Sequence, residues 1–145
     1  MNILVKAHSG LRYVVLLLLV IAIFNAIAGI KKGEYLKKDK MINLFTMISL
    51  HIQLLLGLIL YFTSEKVQFI EGFMKNPQYR FYAIEHILMM LIAIVLITIG
   101  RKKAEKKPND TQKHRKILQF YTVGLILIFL AIPWPFLRNV GAGWF

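Results

Sequence analysis

Apolar residues gather in four long blocks, at positions 11–30, 41–62, 81–99 and 117–136, and the charged residues lie between them. As a helix rising 1.5 Å per residue, the block at 41–62 is about 30 Å long, which matches the hydrocarbon core of a bilayer. The other three are also long enough to span. The pattern predicts an all-α fold: one integral membrane domain over 1–145, a four-helix transmembrane bundle with spans at about 3–30, 41–62, 79–100 and 117–136. The first helix is expected to begin near Ile3, with its first two turns in the membrane interface. Positions 31–40 form a short turn, so the first two helices are antiparallel neighbours. Positions 63–80 make the longest connection, punctuated by Gly72 and Asn76-Pro77. It reads as a plain loop, with a lid over the end of the bundle as the alternative. Ile-Pro-Trp-Pro-Phe at 132–136 closes the last block, with Trp134 as an interfacial anchor.

Composition agrees with the pattern: 57% of residues are hydrophobic and only 18% charged. There is no cysteine, which excludes disulfides, thiolate metal sites, c-type haem attachment and iron–sulfur clusters. The net charge of +12 would suit nucleic acid, but its placement argues against that partner. Thirteen of the 19 Lys and Arg residues fall in 31–40 and 101–116, the first and third connections. The positive-inside rule then puts those connections in the cytoplasm, against anionic headgroups, and both termini outside. The expected location is the inner (cytoplasmic) membrane, with the bilayer itself as the first partner. Ala26 and Ala28 supply an A-x-A pattern. The poorly charged start and Arg12 argue against a cleaved leader, and cleavage would leave three spans.

Ionisable groups within spans are the candidates for chemistry, because each is costly without a partner. His51 sits at the centre of its block. His86 lies about two turns inside the third. His8 and Arg12 are four apart and share one helix face with Leu19, Ala22 and Ala26. Two readings of Arg12 stay open: snorkelling to headgroups, or neutralising a buried anion such as Glu85 or a cofactor carboxylate. Glu85 should be neutral, paired or turned inward. His114, within Lys-His-Arg-Lys, reads as solvated. The bland account of each membrane histidine is a hydrogen bond to a neighbouring helix. The functional account is haem held by two imidazoles on facing helices. Depth ranks the pairs: counted from the inner boundary, His51, His86 and His8 lie at about 15, 21 and 33 Å. His51 with His86 fits best, then His8 with His86. Ala83 and Ala93 are the small neighbours expected beside the ring. One zinc shared by all three histidines fits poorly, since their depths differ too much. No HExxH, P-loop or GxGxxG is present.

The segments HSGLRY at 8–13, HIQLLLGLILYF at 51–62, EHILMMLIAIVLITIG at 85–100 and IPWPF at 132–136 together resemble a family of small four-helix bacterial membrane proteins often labelled cytochrome b-like. The resemblance covers nearly the whole chain. It implies haem b as cofactor, with His51 and His86 as iron ligands and His8 as a further candidate, and Arg12 joins them as a cofactor-binding candidate. The function expected is electron transfer, with quinone, other membrane subunits or a second copy as candidate partners. Two alternatives stay open: an accessory subunit without cofactor, and a proton relay through His51, Glu85 and His86.

The lysine asymmetry makes a direct prediction. A reporter fused after Phe145 is active only outside the cytoplasm, and one inserted at Asn109 only inside; the opposite pattern inverts the topology.

Overall fold

The computed structural model describes residues 2–137 and 141; Met1 and the last residues, Phe145 included, lie outside the described part. Four helices account for nearly all of it: α1 (Asn2–Lys32), α2 (Lys37–Thr63), α3 (Pro77–Lys106) and α4 (Asp110–Ala131). All four are long and apolar enough to cross a membrane. No strand occurs among the described residues. A single 3-10 turn, Phe73–Lys75, lies in the connection before α3.

Local sequence explains the helix boundaries. Asn76 caps α3 by accepting from the Gln78 and Tyr79 amides, with Pro77 in the first turn where no N–H is needed. Asn109 caps α4 through the Thr111 and Gln112 amides. At the start of α2, Asp39 Oδ2 accepts from the Leu36 amide at 2.7 Å, the carboxylate half of a capping box.

Two boundaries depart from the expected ones. Residues 101–116 are not a loop: α3 runs on to Lys106, α4 begins at Asp110, and three residues join them. Charged residues extend these helices because their side chains can point away from the bundle while the backbone stays hydrogen-bonded. At the other end α4 stops at Ala131 instead of 136, because Pro133 pushes Ile132 into extended backbone.

The helices form a ring. α3 packs closely on α4, α4 on α1 and α1 on α2, while α2 and α3 close the ring with a much thinner contact. Val15, Leu19, Ala22 and Ala26 give α1 a buried stripe at helical spacing. Small residues let α3 and α4 approach: a side chain at Gly100 would collide with Phe120, and one at Gly124 with Ile97.

On α2 the inward stripe is polar. Asp39, Asn43 and Thr46 are all buried. They belong to a network that joins the helices at the end carrying the basic segments, called the basic end below. Asn25 donates to Asp39 at 2.8 Å, and Tyr35 donates to Glu105 at 2.6 Å. Asn43 donates to the Tyr35 hydroxyl at 3.3 Å, and Tyr121 donates to the Asn43 carbonyl at 2.7 Å. Burial, and then the bond to Glu105, hold the Tyr35 phenol above its ordinary pKa.

His114 corrects the sequence reading. It is fully buried, not solvated. Its Nε2 donates to the Glu34 carbonyl at 2.6 Å and lies 3.8 Å from Asp39, and its ring lies 4.9 Å from that of Tyr35. Gly29 leaves the space: a Cβ there would fall on the imidazole. Gly29→Ala is therefore expected to destabilise the protein by about 1–3 kcal/mol through overpacking. Gly10→Ala, with nothing near its Cβ, should be neutral or mildly stabilising. Thermal unfolding of the two variants in detergent checks the contrast.

Candidate functional site

A cavity of about 180 Å³ lies between α1, α2 and α3 toward the end away from the basic segments, with Ile128, Ile132 and Pro133 closing it from the α4 side. It is partly open to its surroundings. Most of its wall is aliphatic, including Val15, Leu54, Leu58 and Met90. Its polar groups include His8 and Arg12 from α1, Gln53 from α2, and Tyr82 and His86 from α3. Ser64, Lys66 and Val67 of the long connection also line it, so this stretch covers part of the cavity. Lys66 sits 5.2 Å over the Tyr82 ring.

His8 and His86 face each other here, with ring centres 6.4 Å apart and planes at 80°. The two imidazoles are differently anchored. His86 Nδ1 donates to the Ala131 carbonyl at 2.7 Å, which fixes the tautomer and leaves Nε2 as a lone-pair nitrogen. His8 Nδ1 is buried with no hydrogen-bond partner among the described residues. Gly57 lies against the His8 ring, and a Cβ there would be 3.2 Å from its Cε1. Gln53 donates to the His8 carbonyl at 2.7 Å and ties α2 to the same turn of α1.

A π-helical segment, Phe81–Glu85, immediately precedes His86, whose amide bonds five residues back to Phe81. The wider turn shifts the face of α3 on which His86 sits relative to Tyr79–Ala83. Regular helical counting across it therefore misplaced Ala83. Ala83 is buried but uses its carbonyl to accept from Tyr61 at 2.8 Å. Ala93 packs by Gly124 at the α3–α4 crossing. Neither lines the cavity, and Gly57 supplies the small neighbour in their place.

His51 is elsewhere. Its Nε2 meets Thr98 Oγ1 at 2.9 Å. The Thr98 hydroxyl hydrogen goes to the Ile94 carbonyl at 2.7 Å, so His51 is the donor. Thr98 lies twelve positions beyond His86, about 18 Å further along α3. The pairing of His51 with His86 expected from depth is thus not the one the structure brings together. The length of α3 accounts for part of this, and the rest is a shift of α2 along α3 that residue counting does not show. Measured from Lys37 and Lys106, the helix ends found, His51 and His86 stand about 21 and 30 Å from the basic end. The gap is wider than the sequence boundaries implied.

Arg12 is 8% exposed, so it does not snorkel. Its guanidinium bonds the Tyr13 hydroxyl at 3.0 Å and lies over the rings of Tyr13 and Trp134. Glu85 pairs with Arg80 at 2.7 Å, and both side chains are more than a third exposed. No group of three or more His, Asp or Glu side chains placed to share a metal ion occurs among the described residues. No family model, curated protein or solved structure matches the chain.

The contacts predict how the histidines couple energetically. A double-mutant cycle of His51→Ala with Thr98→Ala should show a coupling of about 1 kcal/mol in detergent unfolding, while His51→Ala with His86→Ala should be additive.

Proposed function

We propose that the chain crosses the cytoplasmic membrane with its basic end inside, holds a b-type haem between His8 and His86, and carries single electrons. The observation that supports this best is the pair of rings facing each other at 6.4 Å, nearly perpendicular, across an aliphatic cavity. An ion held by one nitrogen of each ring at about 2 Å would set the ring centres roughly 6 Å apart. The hydrogen bond from His86 Nδ1 to a backbone carbonyl is the usual outer partner of a ligating histidine. The donor set fits the group. A porphyrin is larger than the cavity, so it would have to spread α2 from α3, where the ring of helices is most thinly closed.

When bound, the haem supplies one-electron redox chemistry. The chain's own residues do the rest. His8 and His86 would hold the iron, and the aliphatic wall would limit the access of water. The buried charge of Arg12 favours an anionic edge, such as carboxylates, on the same side. A lipid-soluble quinone is the electron partner this setting suits. His51 takes a packing role on Thr98. Glu85 and His51 each engage other groups, so a relay through His51, Glu85 and His86 finds no support in their contacts.

The test is a reduced-minus-oxidised absorption spectrum of protein purified after haem-replete expression. The expected result is a low-spin, six-coordinate b-type spectrum that His8→Ala and His86→Ala abolish. His51→Ala and His114→Ala should retain it, and Gly57→Leu should lose haem by filling the space beside His8. A spectrum lost with His51→Ala but kept with His8→Ala would restore the His51–His86 pair. No Soret band in the native protein would overturn the haem reading.

A further inference from the structure

His86 is oriented by a backbone carbonyl, and that carbonyl is available for a reason written in the sequence. The last four carbonyls of an α-helix have no helical donor of their own. In a helix that continued past Ala131, the Phe129 carbonyl would accept from residue 133 and the Ala131 carbonyl from residue 135. Both positions are proline and have no N–H to give. The two stranded carbonyls are claimed by side chains instead. The Trp134 indole donates to Phe129 at 3.1 Å, and His86 donates to Ala131 at 2.7 Å. Pro133 also holds Ile132 extended, at φ −74° and ψ 130°, so the helix cannot resume.

We infer that Pro133 and Pro135 act together as positioning residues for His86, keeping the Ala131 carbonyl open so that the imidazole carries its proton on Nδ1 and turns Nε2 into the cavity. The two act redundantly. With Pro135 alone, a helix that resumed would still find no donor for Ala131. With Pro133 alone, Ile132 stays extended and no donor is delivered. The competing account gives Pro135 a plain turn role, since it occupies the second position of the turn closed by the Leu137 amide on the Trp134 carbonyl at 3.0 Å. That account predicts a disturbance from Pro135 alone. The capture of the imidazole stands by itself; its value as a metal-facing lone pair rests on the haem reading above.

The experiment is a ¹⁵N spectrum of histidine-labelled full-length protein in nanodiscs, expressed without added haem precursor, with His86 assigned by its loss in His86→Gln. A bare imidazole nitrogen and a protonated one resonate far apart. The native protein should show His86 with Nδ1 protonated and Nε2 bare. Pro133→Ala and Pro135→Ala should each keep that signature. The double variant Pro133→Ala/Pro135→Ala should lose it, with a proton appearing on Nε2. The His51 signal, set by Thr98, reports whether the bundle is intact. If that signal is lost, the pair Pro133→Ala/Pro135→Ser is read in its place. An unchanged His86 signature in the double variant, or a single variant that shifts it as far as the double, overturns the inference. Failure of the haem reading would look different: no Soret band in the native protein, with the tautomer pattern intact.

Discussion

The buried carboxylate of Asp39 and the polar network around it set the architecture. A carboxylate only 4% exposed is tolerable only if its oxygens are occupied. Asp39 takes one bond from the Leu36 amide and one from Asn25, with His114 close by. Tyr35, Asn43, Glu105 and Tyr121 extend the network until every helix contributes a group. Removing a member strands a buried partner, at roughly 1–3 kcal/mol each. Such contacts fix helix register more sharply than aliphatic packing does, because a shift of one residue breaks several of them at once.

The opposite end is built differently. Besides the Lys40–Glu105 pair at the basic end, the polar ties between α2 and α3 among the described residues are Tyr61 to the Ala83 carbonyl and His51 to Thr98. The cavity lies on the far side of His51 from the network, beside the α2–α3 contact, the thinnest in the ring. A bundle clamped at one end and thinly closed at the other can open locally without losing its register. The surface ion pair of Arg80 with Glu85 adds little to that closure, since exposed pairs contribute about 0–1 kcal/mol.

The number of helices and their approximate extents were legible, because apolar blocks of this length have few other solutions. The ionisable candidates were legible too, since charge inside an apolar block stands out. Which of them meet was not. Depth counted along the chain pairs His51 with His86, but it does not show how far neighbouring helices are shifted along each other, and His51 meets Thr98 instead. Ala83 was placed by regular periodicity, and the π-helical turn at Phe81–Glu85 breaks it. His114 looked solvated because its neighbours in sequence are basic, yet only the ring contacts of the fold, and Gly29 across from it, put it inside. One signal was available: Asp39, Asn43, Thr46, Gln53 and Gly57 recur at helical spacing along α2, a polar and small stripe that marks its inward face.

The order of synthesis gives the distribution of the cavity's parts a consequence of its own. Residues of the cavity are spread from Val5 and His8 in α1 to Ile132 and Pro133 just after α4. The α1–α2 and α3–α4 hairpins each close over short loops and can form as soon as they are made. The imidazole of His86 gains its carbonyl only when Ala131 has emerged, and it meets His8 only when the two hairpins join. The orientation of His86 thus waits on α4, the last of the four helices. All four helices are therefore made before His86 gains that carbonyl, so a ligand that needs both rings oriented is captured only after α4 has formed.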